Sequence, residues 1–491
     1  MQFKLPFAIN VISLTLILLV TLIFFYPTFF AGFIFDDWGD LRNAYGSFEN
    51  RLREFLPTHG DFRAVTRLFW WISYELFGTE PLGYHLLNFA LHLLVVVMVW
   101  GLIRLLTNND WVALCAAFLF SINRTTITPV SWVSASIDQK LLLFSLLAIF
   151  LYIYTARMMV ASGKYPVGRI LIFTLAAWFA FKSKLMAWPL PAIYLLLDFT
   201  YCSEKKILKE RIIDSSKRWL KIVWPLLILT IIYIPNFIAW MGGSIPTSGE
   251  YGISLNPLNF FASCGKYLAS AFGLNGYYSS SDAWYSGAAG AALLLYGIFY
   301  RNRNILFGML WFTITLLPVG LLRTHHFDHH LYLPLFGLVM AVAALLYDLT
   351  VRLKIASRGP ALVAIFVVLV CGYTYVMYPL FKEYSIATRD VVKLSNRTLM
   401  QIHKIAPIIP KQVTFLVYPT PTWNLLNYSA PLNFLYQQFD GITTKVFDSQ
   451  SDFEAAIRAS PSDTTWYALH YEPSDGSVIL VSSSTHFSTN K

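Results

Sequence analysis

The chain has 491 residues, of which 56% are hydrophobic and only 13% charged, where an ordinary soluble domain carries about 25% charged residues. That composition excludes a disordered chain, a fibrous protein and an ordinary cytosolic enzyme, and repeated apolar runs of about 20 residues point to a polytopic membrane protein. The net charge of +10 reads as membrane topology and attraction to anionic lipid, with no nucleic acid as partner.

The four cysteines, Cys115, Cys202, Cys264 and Cys371, are isolated and set up neither a disulfide framework nor a zinc site. Lys4 opens an apolar run from Leu5 to Phe35. The run is too long for a signal peptide and ends in Asp36-Asp37 rather than a small-residue cleavage site, so it reads as a retained first helix. Further spans are expected at 84–106, 111–122, 131–154, 167–183, 186–199, 220–240, 284–300, 304–322, 331–350 and 360–380, about eleven in all. Lys and Arg gather in alternate connections, above all in 201–221. This places the N-terminus in the cytoplasm and, with an odd span count, the C-terminus outside.

Three outer segments are large: 31–83, a first outer loop with interfacial helices; 241–283; and 381–491. In the last, Gln412–Tyr418, Thr465–His470 and Ser477–Val481 read as strands, and Pro431–Phe439 and Ser451–Ala459 as short helices. The expected fold is therefore an all-α polytopic membrane domain over 1–380 and a small extracytoplasmic α/β domain over 381–491.

Several constellations can carry chemistry. Asp36 and Asp37 stand at the exit of the first span; they either flank a helix end or supply a general base or metal ligand, since adjacent like charges raise one pKa toward neutrality. Arg63 and Arg67 are four residues apart, on one face of a helix that carries Trp70, Trp71 and Tyr74, with His59 and Asp61 just before it. They either meet lipid headgroups or hold one specific phosphate through their two-pronged guanidinium groups. The loop from Arg323 holds His325, His326, Asp328, His329 and His330. It is a metal site through residues such as His325, His326 and Asp328, an anion-binding loop, or an ordinary basic loop. Lys182 and Lys184 lie at the outer end of an apolar run, against the positive-inside bias, and Asp138 and Lys140 open a span; charges so placed are interfacial or functional.

The chemistry that joins a carboxylate to anion-binding cations on one outer face is transfer from a lipid-linked phosphate. A phosphate leaves without a proton once its charge is neutralised, so cations replace the acid that a glycosidase needs.

At these residues the chain resembles the integral-membrane glycosyltransferases of GT-C fold, in the branch of the protein O-mannosyltransferases, the related transmembrane O-mannosyltransferases and their bacterial relatives. The resemblance covers roughly 30–340. It rests on Phe35-Asp36-Asp37; on Phe62 to Thr66, Leu76-Phe77-Gly78 and Gly83 to Asn88; on Ser131 to Ser134 with Asp138; on Ser183-Lys184 through Asp198; and on Trp311 to Pro318 followed by Leu331-Tyr332-Leu333-Pro334. Departures fall at Ala64, Asn123, Thr126, Thr128, Ser136, Leu185 and His329. The resemblance implies an inverting transferase that takes a sugar from a polyprenyl-phosphate donor outside the cytoplasm, with Asp36 as base; no cofactor is expected to be required, and a divalent metal stays an open alternative. Asp37 then positions Asp36 or the acceptor. Arg63, Arg67, Lys184, Arg323 and His329 are candidates for the donor phosphate, and His59, Asp138 and Tyr332 for the substrate. The expected partners are the lipid-linked donor, a glycan, lipid or protein acceptor, and the bilayer, which is expected to be a bacterial inner membrane. The rival readings are a transporter or flippase of lipid-linked sugars, and a non-catalytic scaffold of the same fold.

Overall fold

A backbone in hydrocarbon must satisfy its own hydrogen bonds, and long apolar helices are how this chain does so. The computed structural model describes residues 3–484 apart from 45–47, 241–250, 275–279, 324, 355–358, 420–429, 437–440 and 462–463. Among the described residues, eight helices are long and apolar enough to cross a bilayer: Phe7–Phe30, Pro81–Thr107, Ser134–Ser162, Leu185–Cys202, Leu208–Ala239, Arg303–Gly320, Asp328–Arg352 and Pro360–Ile405.

The sequence suggests three more, and each differs for a local reason. The run 111–122 forms the short helix Asp110–Ser121, bent by 57° onto Arg124–Ser131; counted as one span, the bent pair makes nine. The run 167–183 forms the helix Val167–Phe181, only 15 residues long. The run 284–300 lies in Ser280–Phe299, a helix of 20 residues whose GAAGAA stretch lowers its apolar character. Two further elements were not expected. The segment 241–283, expected to lie outside, contains the helix Pro257–Ala271, capped by the Asn256 side chain on the Leu258 N–H. The basic segment 201–221 is helical from Leu208 onward, and its Arg218 makes a two-pronged ion pair with buried Asp198 at 2.6 and 2.9 Å.

The chain divides into two compact units: residues 1–29, 47–69 and 85–382, and residues 30–46, 70–84 and 383–491. In the first, small residues let helices approach closely, as membrane packing favours. The helix Arg303–Gly320 meets Tyr332–Arg352 at Gly308 and Gly337, where a Cβ on either glycine would lie 2.4 Å from the other's carbonyl oxygen. Trp311 closes this crossing with an indole N–H bond to the Leu333 carbonyl at 3.0 Å.

The second unit contains a four-stranded sheet of β1 (Val413–Tyr418), β2 (Ile442–Val446), β3 (Trp466–Glu472) and β4 (Ser477–Ser483), in the order β2-β1-β3-β4. The pairs β1–β2 and β1–β3 are parallel and β3–β4 is antiparallel. The alternating strand β2 was not expected; its sequence ITTKV is polar on one face. One face of the sheet packs Phe415, Val417, Tyr467 and Leu469 against Leu399, Ile402 and Leu432. Leu416, Trp466 and Ala468 pack on the other face against Phe453 of the helix Gln450–Ala459. The helix Gly359–Ile405 is unbroken through 381, where the sequence suggests a boundary. Past 381 its apolar residues recur at helical spacing, as at Val391, Leu399 and Ile402, too sparsely to read as a membrane run. The expected helix Pro431–Phe439 appears as Ala430–Leu435, with 437–440 outside the described residues.

Candidate functional site

In the first unit, a cationic cluster forms around one buried acid. Asp138 lies in the first turn of the helix Ile137–Ser162 and is fully buried. Lys184, in extended backbone between Phe181 and the turn Leu185–Ala187, reaches it with its ammonium 2.8 Å from both carboxylate oxygens. Burial pulls Lys184 below the ordinary lysine range, with Asp138 opposing that shift. Arg63 acts electrostatically on both members of the pair. Lys140 acts on Asp138 as well, while donating to the Ser136 hydroxyl at 2.5 Å and lying over the Phe69 ring. Three cations thus face one carboxylate, and the surplus positive charge favours a bound anion.

The loop carrying Arg63 is held by its neighbours. Lys182 donates to the backbone carbonyls of His59 and Asp61, each at 2.8 Å, and its ammonium lies 4.4 Å from the Tyr233 ring centroid. Tyr233 donates to the Gly60 carbonyl and Trp178 to that of Phe55. The His59 ring is exposed, and its Nδ1 accepts weakly from the Asp61 N–H at 3.4 Å. Asp61 Oδ1 accepts from the Arg63 N–H at 2.8 Å. Arg67, expected beside Arg63 on a phosphate, is instead ion-paired with Asp61 at 2.6 Å and Glu54 at 3.5 Å. Helical spacing alone does not reveal acids supplied by a preceding loop.

The loop of 323–330 separates into different tasks. His329 and His330 both sense the charge of Lys184; His329 packs against Trp132 and Phe327, and His330 Nδ1 pairs with the Tyr267 hydroxyl at 3.0 Å. His325 lies against the Tyr251 ring, and His326 Nε2 pairs with the Ser263 hydroxyl at 2.9 Å. Asp328 is bonded by the Ser270 hydroxyl and paired with Arg124 at 3.4 Å. Among the described residues no three His, Cys, Asp or Glu side chains converge on one point. Arg323 is exposed, and its N–H bonds the Gly252 carbonyl. Tyr332 is buried with its hydroxyl 2.7 Å from His92 Nδ1, inside the helix packing.

Asp36 and Asp37 belong to the second unit and differ sharply. Asp37 is fully buried and opens the helix Asp37–Ala44. Its carboxylate accepts from the Ile34 N–H at 3.0 Å, while its own N–H bonds the Ile34 carbonyl. Asp36 is exposed. The turn between them and the apolar run is constrained: Phe35 has φ of 49°, a left-handed conformation that costs a non-glycine residue free energy and gathers at functional sites. Phe33 anchors that turn between the rings of Trp38, Trp70 and Tyr84.

Arg124 and Tyr267 join the site from elements whose sequence gave little signal. Tyr267 lies on the unexpected helix of 257–271, and Arg124 lies in the connection between the expected spans 111–122 and 131–154.

No protein-family model matches the chain. One protein O-mannosyl-transferase of Caenorhabditis elegans is 27% identical over 99 residues, 20% of this chain and 14% of that relative's length. The structure of ArnT from Cupriavidus metallidurans bound to undecaprenyl phosphate superimposes with a TM-score of 0.50 at 14% identity, over 97% of this chain and 98% of that one. The archaeal oligosaccharyltransferase AglB from Archaeoglobus fulgidus, in complex with an inhibitory peptide and a dolichol-phosphate, gives a TM-score of 0.54 at 11% identity, over 94% of this chain and 69% of that one. The fold is thus of GT-C type, in an integral multi-pass membrane protein.

Proposed function

We propose that the protein is an inverting glycosyltransferase that moves a sugar from a polyprenyl-phosphate donor to an acceptor hydroxyl on the extracytoplasmic side, in a bacterial inner membrane. The observation that carries this reading is the surplus of positive charge from Lys184, Arg63 and Lys140 around the one carboxylate of Asp138, in a fold shared with two proteins bound to polyprenyl-type phosphates. Lys184 and Arg63 are assigned to the donor phosphate, with His329 and His330 beside them. Arg67 is left to its acids, and Tyr332 to the helix packing.

Asp36 is assigned as the base, since it is the exposed member of its pair, while Asp37 holds the turn. In the step, the Asp36 carboxylate takes the proton of the acceptor hydroxyl. The freed oxygen attacks the anomeric carbon as the carbon–oxygen bond to phosphate breaks. The polyprenyl phosphate leaves with the bonding pair, its new negative charge met by guanidinium and ammonium groups. Attack from the face opposite the leaving group inverts the carbon.

The test is product formation by the purified protein in lipid, given a polyprenyl-phosphate donor with a labelled sugar. A new glycosidic bond that is lost in Asp36→Asn supports the assignment. Movement of donor between leaflets with no new bond identifies a flippase, and no reaction across donors from a panel of sugars identifies a scaffold.

A further inference from the structure

A cavity of about 350 Å³ in the first unit lies apart from the Lys184 cluster, where the start of the helix Pro257–Ala271 meets Leu322, Arg323 and His326. Its walls are fixed by backbone pairing: the Ser254 N–H bonds the Leu321 carbonyl at 2.8 Å, and the Arg323 N–H bonds the Gly252 carbonyl at 3.0 Å. Arg323, Lys266 and His326 line it, and among the described residues no Asp or Glu does. Among the described residues neither Arg323 nor Lys266 forms an ion pair. Ser254, Asn259 and Ser263 complete a rim of hydroxyl and amide groups. That rim is preorganised, with Asn259 donating to the Ser254 hydroxyl at 2.8 Å and Ser263 bonded to His326 at 2.9 Å.

Two permanent cations with no ion-pair partner among the described residues call for an anion. A guanidinium fork beside an ammonium suits a phosphate, whose oxygens accept several charge-assisted bonds at once. The volume exceeds that of a phosphate alone, and the neutral rim offers partners for hydroxyls.

We propose that this cavity binds a phosphate carried on a sugar or other polyol, and that this group is the anionic part of the acceptor. The proposal rests on the transferase reading for the word acceptor, but not for the binding. It gives the 323–330 loop two anion sites: Arg323 and His326 serve the cavity, while His329 and His330 border Lys184. Charges from both ends reach His330, which senses His326 as well as Lys184.

The test is calorimetric titration of the full chain in neutral detergent with glucose 1-phosphate, inorganic phosphate and glucose. In parallel, the chain is held in phosphatidylcholine nanodiscs with and without phosphatidylglycerol. Glucose 1-phosphate should bind and glucose should not. Arg323→Gln and Lys266→Gln should each weaken binding about tenfold or more, the loss of one charge-assisted contact. Arg323→Lys keeps the charge without the fork and should fall between, which separates recognition from misfolding. Binding by the soluble probe points to a glycan phosphate; binding only of phosphatidylglycerol, lost in the same variants, points to a lipid headgroup. Both support an anionic polyol site. The absence of binding in both arms, or an affinity unchanged in the Arg323→Gln/Lys266→Gln double variant, overturns it. Asp36→Asn should keep this binding, so full transfer by that variant would remove the base and leave the cavity standing.

Discussion

Lys184 holds its ammonium 2.8 Å from both oxygens of Asp138, so each charge makes the burial of the other tolerable. Breaking a buried pair from one side strands a charge and costs about 3–5 kcal/mol, whereas replacing both partners with apolar groups is often neutral. Lys184→Gln should therefore lower stability markedly, and the Lys184→Met/Asp138→Leu double variant should recover most of it. If Lys184 also meets the donor, transfer stays absent in the stable double variant. Thermal unfolding in detergent, read beside transfer, separates the roles; recovery of activity with stability would reduce the pair to a structural one.

The acids at 36 and 37 should respond in opposite ways. Asp36 is exposed, so Asp36→Asn should leave the melting temperature unchanged while lowering transfer by about a hundredfold or more, the usual contribution of a general base. Asp37→Ala loses the carboxylate that receives the Ile34 N–H and should cost about 1–3 kcal/mol through the unsatisfied donor. A variant series with these two effects exchanged would make Asp37 the base.

The helical membrane architecture is legible in the sequence because hydrocarbon imposes a simple rule of length and apolarity. Eight of the eleven expected spans meet it in the structure. The rule fails where packing decides instead. Ser280–Phe299 gains its place through small residues, its Gly287 lying against Gly265 and Phe261, and those residues read as weakly apolar. The helix Pro257–Ala271 pairs with it and went unseen because Ser263 and Lys266 belong to a polar cavity. Lys184 was legible as a cation against the positive-inside bias, Asp138 as a charge opening a span, and Arg63 as one of two arginines on a helix face. The capture of Arg67 by Asp61 and Glu54 was not, because a loop's fold brings those acids to the helix. Nor did the sequence separate exposed Asp36 from buried Asp37, the two residues that follow the left-handed Phe35.

Lys182 gives a pH signature. Burial draws its pKa down to about 8, from about 10.4 in an unfolded chain. Between those values the folded amine is neutral while the unfolded one is still charged. Unfolding then takes up a proton, and this lysine's contribution to stability rises with pH. Stability of the wild type relative to Lys182→Met should be level below pH 8 and increase from pH 8 to 10. A relative stability that falls over that window would contradict the shift. At neutral pH Lys182→Met should also expose the 55–63 backbone to hydrogen exchange, since the His59 and Asp61 carbonyls lose their shared donor.

Gly308 and Gly337 test whether the close crossing of their helices is required. A Cβ on either would lie 2.4 Å from the carbonyl oxygen of the other. That oxygen is backbone and cannot rotate away, so the helices must separate and the contacts of Trp311 and Leu333 loosen with them. Gly308→Ala or Gly337→Ala should cost about 1–3 kcal/mol, the usual range for overpacking. Gly372 provides the control: it is helical and a Cβ there meets nothing within 4 Å. Gly372→Ala should be neutral or should stabilise by up to about 1 kcal/mol through helix propensity. Equal responses at the three glycines, measured by thermal unfolding in one detergent, would show that the crossing yields without cost.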